Sequence, residues 1–281
     1  MADVRWSENT VSINGLRTRY LEAGSGPPLV LLHGGEFGGS SEIAWERVIH
    51  LFAETRRVIA PDILGFGGSA KVVDFVDGRG WRLRHLADLC AHLGVESADF
   101  VGNSMGGAML LADAAAPESV LPIRTLVTIC GGGELEDNEH MAALMDYDAT
   151  VEGMRAIVAA MFADPSYAAD DAYVGRRYNS SMLPGAWEAV AAARFRRPGH
   201  QSSGQGALDY ARIAVPVLVV EGGVDKLKPA GWAGRLAAQL PDGKAVVVEG
   251  SGHCPQIERP HDLVRLVEDF VDEKVDCVER D

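Results

Sequence analysis

The stretch that most restricts the fold is residues 98–116. There an apolar run, ADFV, leads into Gly102-Asn103-Ser104-Met105-Gly106-Gly107 and then into the helical text AMLLADAAA. G-x-S-x-G between a buried strand and a helix is what a tight elbow requires. The serine occupies a strained turn, and the flanking glycines remove side chains that would clash there. A helix that starts at Met105 also aims the positive end of its dipole at the serine, where negative charge can be held. A glycine-rich turn with an incidental serine would leave the same pentapeptide, so its surroundings must decide.

Those surroundings repeat one theme. PLVLLHG (28–34), RRVIAPD (56–62), RTLVTIC (124–130), VPVLVVEG (215–222) and KAVVVEG (244–250) are short apolar runs of the kind expected of strands buried on both faces. Helical patterns fit between them near 41–53, 79–93, 105–116, 229–239 and 260–275. This alternation predicts stacked βαβ units and a mostly parallel sheet flanked by helices. The opening text VSINGLRTRYLEAG predicts a hairpin turning at Asn14-Gly15. In the last helical stretch Leu263, Leu266, Val267 and Phe270 share one face.

Between about 133 and 206 the alternation stops. The text there, MRAIVAAMFAD and AWEAVAAARF, is helical, and the stretch is too long for a loop. It reads as a helical cap (133–206) inserted into one core made of 1–132 and 207–281, with GHQSSGQG (199–206) as a flexible return. Met141, Met145, Met154, Met161 and Tyr147 read as the core of this cap.

Serine is a weak nucleophile and needs a base, which in turn needs a carboxylate to fix its tautomer. Two downstream residues answer that need in the order such a sheet uses. Asp225 follows the run ending at Gly222, and His253 follows the next run, in Gly250-Ser251-Gly252-His253. Both fall at predicted carboxyl ends of parallel strands, where these sheets build their sites. Glu134 stands as a reserve acid. An oxyanion needs two preorganised N–H donors. Met105 supplies one from the elbow, and His33-Gly34-Gly35 supplies the other from Gly35.

The formal charge of −14 argues against nucleic acid or an anionic membrane as a partner. The N-terminal MADVRWSENTVSING lacks the apolar core of a signal peptide, and no apolar run approaches the roughly 18 residues that span a bilayer. Cys90, Cys130, Cys254 and Cys277 show no C-x-x-C pairing, so neither a zinc site nor a disulfide framework is indicated. The expectation is a reduced, cytoplasmic enzyme acting on a small molecule with no metal and no organic cofactor.

HGG at 33–35, PDILGFGGS at 61–69, GNSMGG at 102–107 and GSGHCPQIERP at 250–260 together resemble the α/β-hydrolase superfamily over nearly the whole chain. Within it the sequence most resembles the meta-cleavage-product hydrolases, which cut carbon–carbon bonds in ring-fission products of aromatic degradation. Asn103 before the serine, the HGG loop and Arg177-Tyr178 in GRRYNSS carry that finer likeness. The resemblance implies an eight-stranded sheet with a helical cap and a 2-hydroxy-6-oxo-dienoate-type substrate. It implies that Arg177, with Arg176 adjacent, contacts the polar dienol end, and that Gly34, Asn103 and Cys254 also meet substrate. Dimers are common in that family, and the sequence leaves oligomeric state open. Three places in the chain depart from its pattern. Glu36-Phe37 follow HGG in place of Gly-Pro, Cys254 follows the histidine in place of tryptophan, and Trp45, Glu46 and Arg47 stand where a polar Asn is expected. A carboxylesterase or enol-lactonase using the same three residues, or a ligand-binding protein of this fold, are the other readings.

Overall fold

The computed structural model describes residues 6–192 and 208–278. The expected return segment at 199–206, the cap boundary at 206 and the first five residues lie outside the described residues.

The chain opens with β1 (Ser7–Ile13) and β2 (Leu16–Ala23), paired antiparallel. Asn14 and Gly15 join them, both at positive φ (51° and 81°), which matches a two-residue hairpin turn to the twist of its strands. There follow β3 (Pro28–Leu32), α1 (Ser41–Trp45), α2 (Ile49–Phe52), β4 (Arg57–Pro61), α3 (Gly78–His92), β5 (Ala98–Asn103), α4 (Met105–Ala114) and β6 (Ile123–Ile129). After β6 come α5 (Glu139–Met145), α6 (Val151–Met161), α7 (Ser166–Ala169), α8 (Asp171–Ser181) and α9 (Ala186–Ala192). The sheet resumes with β7 (Val217–Gly222), α10 (Trp232–Ala237), β8 (Gly243–Val248), α11 (Pro255–Glu258) and α12 (Pro260–Val278).

The eight strands form one sheet in the order β1-β2-β4-β3-β5-β6-β7-β8. β2 pairs antiparallel with β1 and β4, and the other neighbours are parallel. This is the α/β-hydrolase fold. Strand periodicity explains the two cores. Along β3, Val30 and Leu32 enter the cluster built with α3, α4, α10 and α6, while Leu29 and Leu31 enter the one built with α1, α2 and α12. The shared face of α12 buries Leu263, Val267 and Phe270 in that second cluster, with Leu266 partly buried at its margin.

Two expectations are corrected. The stretch at 41–53 is two short helices, because the chain turns at Glu46–Val48. β8 is an edge strand, and Val247 is exposed there, so its apolar text does not mark burial on both faces. Within the insert, Met154, Ile157, Val158 and Met161 of α6 pack into the same cluster as the strands, which fixes that helix against the sheet. Among the described residues no helix is long and apolar enough to cross a membrane.

Strand order reverses at β3 and β5: the chain leaves β3 toward β4 on one side and returns to β5 on the other. Crevices form at the carboxyl ends of strands around such a switch point. The loops after β3 and β5 meet there.

Candidate active site

Ser104 caps α4 with φ 52° and ψ −113°, a left-handed backbone that side chains rarely adopt. The chain can pass so close only because of its glycines. A Cβ at Gly102 would lie 2.4 Å from Gly107 N, and one at Gly106 would lie 2.4 Å from Leu32 O. The Ser104 N–H donates to Ile129 O at 2.8 Å, tying the turn to β6.

The His253 imidazole bridges two side chains. Its Nδ1 lies 2.7 Å from Asp225 Oδ2 and its Nε2 lies 2.9 Å from Ser104 Oγ. A carboxylate only accepts, so the ring proton sits on Nδ1 and Nε2 accepts from the serine hydroxyl. Burial raises the Asp225 carboxyl, but the facing imidazole, the Leu227 N–H and the Cys130 thiol outweigh it and hold the group below its ordinary range. The backbone of His253 is clamped on both sides. Its N–H donates to Met161 O of α6 at 2.7 Å, and its carbonyl accepts from Asn103 Nδ2 at 3.0 Å. Asn103 Nδ2 also donates to Ile129 O at 3.2 Å, so this residue braces the elbow against the histidine loop.

Gly35 abuts the first residue of α4: a Cβ there would lie 2.7 Å from Met105 Sδ. Met105 opens its helix, so its N–H has no acceptor within it. The HGG loop is pinned by His33, whose Nε2 accepts from Ile63 N–H at 3.0 Å. Its proton therefore sits on Nδ1, which donates to Gly34 O at 2.7 Å. Full burial pushes the His33 pKa down, so the ring is neutral.

A cavity of about 410 Å³ opens over this group, walled by Gly35, Glu36, Ser104, Met105, His253 and Lys228 among others, with apolar side chains such as Met141 and Met161. Met161 and Tyr147 are buried with the cap, as Met154 is, whereas Met145 is half exposed at the cavity wall. Serine, imidazole and carboxylate in this chain of hydrogen bonds can raise the nucleophilicity of a hydroxyl and return its proton to a leaving group.

Four residues expected to meet substrate stand back from this cavity. Gly34 and Asn103 lie behind its wall. Cys254 is fully buried, and burial first, with Glu36 adding to it, pushes its thiol well above the ordinary value. Arg177, 1% exposed, donates from Nη1 to Glu36 Oε1 at 3.1 Å and from Nε to Tyr173 Oη at 3.1 Å. It reaches the cavity only through Glu36, which takes the place at the wall. Arg176 pairs instead with Glu46 at 2.7 Å, and Glu134 with Arg235 at 2.8 Å, away from His253. Sequence reasoning missed Lys228. The available signal was its place three residues after Asp225, in a loop at a strand's carboxyl end.

Cys130, Asp225 and His253 each bring one potential metal-ligand atom within 4.8 Å of the others. Burial holds the Cys130 thiol well above its ordinary pKa and hence protonated, and Nδ1 of His253 carries the proton given to Asp225. The three side chains are thus joined as a hydrogen-bonded chain.

The alpha/beta hydrolase family model matches residues 29–266, and the chain belongs to that family. Within it the chain groups with the meta-cleavage product hydrolases. It is 34% identical to a 2-hydroxy-6-oxo-6-(2'-aminophenyl)hexa-2,4-dienoic acid hydrolase of Metapseudomonas resinovorans, over 96% of this chain and 92% of that one. A 2-hydroxymuconate semialdehyde hydrolase of Pseudomonas sp. strain CF600 is 33% identical over 92% of each. Among solved structures, a serine hydrolase involved in carbazole degradation (CarC) superposes with a TM-score of 0.80 at 32% identity, covering 95% and 99% of the two chains. The meta-cleavage product hydrolase CumD of Pseudomonas fluorescens IP01 gives 0.84 at 26%, covering 94% and 97%. The protein is thus a hydrolase by family.

Proposed function

We propose that the protein cleaves a carbon–carbon bond in a 2-hydroxy-6-oxo-dienoate-type ring-fission product, with Ser104, His253 and Asp225 as catalytic triad and the N–H groups of Gly35 and Met105 as oxyanion hole. The observation that carries this reading is the His253 ring, hydrogen-bonded at once to Ser104 and Asp225 (2.9 and 2.7 Å), under an apolar cavity. Two full-length relatives that are named as hydrolases of such products support it.

The bond dictates the order of events. A dienol leaves poorly as a carbanion, so the 2-hydroxy group of the substrate first becomes a 2-oxo group, with His253 moving the hydroxyl proton to C5. Ser104 then attacks the 6-oxo carbon as His253 takes its proton, and the oxygen draws the two N–H groups. The carbon–carbon bond breaks to expel a dienolate, which His253 protonates. Water, activated by the same imidazole, releases the acid from Ser104. Each oxyanion donor contributes about 2.7–4 kcal/mol of transition-state stabilisation in such sites. The acting molecule is a small substrate, and a reducing cytoplasmic setting belongs to this reading, which the buried unpaired thiols of Cys90, Cys130 and Cys254 support.

One observation favours a second reading. Arg177 is engaged by Glu36 behind the wall, which leaves the direct arginine contact to a dienol unmade. A carboxylesterase or enol-lactonase needs no such contact, because an ester already has a good leaving group. A fluorophosphonate probe tests whether either enzyme reading holds. Wild type labels at Ser104 and Ser104→Ala does not, whereas failure of wild type to label beside a reactive control hydrolase sinks both. Mass spectrometry of the products from a dienol then distinguishes chain cleavage from mere tautomerisation.

A further inference from the structure

The cavity carries charge unevenly from one end to the other. It crosses the carboxyl ends of β3, β5, β6 and β7, consecutive in the sheet. Neighbouring strands stand about 4.8 Å apart, so its ends are separated by roughly 14 Å, with Ser104, just past the end of β5, between them. At the β3 end Glu36 is answered by Arg177. At the β6–β7 end is Lys228, which is 4% exposed and lines the cavity.

The Lys228 ammonium donates to Gly132 O, itself in the cavity wall, and lies 4.0 Å from the centre of the Trp232 ring. An ammonium has three donors, and among the described residues this one has a single protein acceptor. Among the described residues no carboxylate is within ion-pair distance of it. Asp225 offsets part of the charge from behind the wall, but its oxygens are given to His253 and to the Leu227 N–H. A buried cation without an anionic partner is costly, and a neutral side chain would fill the same space without that cost.

We propose that Lys228 binds a carboxylate of the substrate and so selects anionic substrates and sets their orientation across Ser104. The proposal depends on Ser104 as nucleophile and not on carbon–carbon cleavage. The carboxylate is either the dienoate's own, on the departing portion, or one on the acyl portion. The chemistry at the ammonium is the same.

Two matched ester pairs test this without any dienol. One pair is the mono-4-nitrophenyl ester of glutaric acid and the 4-nitrophenyl ester of glutaramic acid, with the anion on the acyl side. The other is 4-carboxyphenyl butyrate and 4-carbamoylphenyl butyrate, with the anion on the leaving side. The readout is the ratio of kcat/KM for carboxylate over amide. In Lys228→Met this ratio falls at least tenfold, mainly through KM, for one pair, which also reports the orientation; Lys228→Arg restores part of it. A structural lysine would change both members equally and leave both ratios untouched, which overturns the proposal. So does a ratio that moves with Glu36→Gln but not with Lys228→Met.

Should Lys228→Met not fold, wild type still decides. Burial lowers the Lys228 pKa to about 8, partly opposed by Cys130, Asp225, Glu134 and Glu221, the titratable groups that face it. The carboxylate preference therefore falls as pH rises through about 8, and a ratio flat from pH 7 to 9.5 contradicts the proposal. Loss of dienol cleavage with these ratios intact would sink the carbon–carbon reading alone.

Discussion

Asn103 and His253 are joined by a hydrogen bond of 3.0 Å, from the side-chain amide of one to the backbone carbonyl of the other. The residue before the serine therefore positions the loop that carries the imidazole. With the same amide donating to Ile129 O, one buried side chain links β5, β6 and the histidine loop.

Asn103→Leu removes both bonds; Ile129 O keeps the Ser104 N–H, but the buried His253 carbonyl loses its donor, at a cost of about 1–3 kcal/mol. We expect a lower denaturant midpoint. We also expect kcat to fall by roughly tenfold or more, since small misplacements of a reacting group are expensive. KM should change little, because Asn103 stands behind the cavity wall. A rise in KM with kcat preserved would instead make it a substrate contact.

The buried Glu36–Arg177 pair yields a stability prediction. Removing one partner leaves the other charge buried and alone, so Arg177→Met or Glu36→Gln should each cost on the order of 3–5 kcal/mol. The double substitution should cost much less than the two summed. Urea unfolding of the four proteins gives the coupling, and additive effects would show that the two residues do not depend on each other.

Much of this geometry was legible, for reasons that differ by residue. Ser104, Asp225 and His253 each stand just past a continuous apolar run, so their approach to one edge of the sheet could be read from strand text and order. Asn14-Gly15 announced its hairpin because both positions need positive φ. The Glu36–Arg177 contact was not legible: the residues are 141 positions apart, and only the packing of α8 over the β3 loop brings them together. That contact moves Arg177 behind the wall, although the family resemblance implied a substrate contact. Lys228 was not singled out from the sequence, since burial of a charge depends on tertiary packing. The exposure of β8 follows from its edge position, which apolar text does not encode.

His33 should make stability fall on the acid side. Its folded pKa is depressed by burial, while the unfolded ring titrates near 6.5. The unfolded chain thus binds the proton more readily, so the contribution is fully present above about pH 6.5 and is lost as pH falls toward the depressed folded value. His85, buried against Thr18 and likewise depressed, acts in the same direction. Melting temperatures from pH 8 to 5 should fall less steeply in His33→Asn than in wild type, and parallel curves would show that His33 is not the group responsible.

Gly35 tests the oxyanion assignment. A methyl group there would press on Met105 Sδ, 2.7 Å away, and displace one N–H from the other. Gly35→Ala should lower kcat by roughly a hundredfold to a thousandfold, the scale of losing one such donor, without matching loss of stability. Full activity in this variant would move the oxyanion site elsewhere.

The central claim is that Ser104 and its partners cleave carbon–carbon bonds, and relative kcat/KM over a panel of coloured ring-fission dienols and 4-nitrophenyl esters addresses it most directly. The account predicts that at least one dienol exceeds every ester by tenfold or more, with cleaved products, and that Ser104→Ala abolishes cleavage. Efficient ester hydrolysis with no dienol cleaved, or dienol cleavage undiminished in Ser104→Ala, would contradict it.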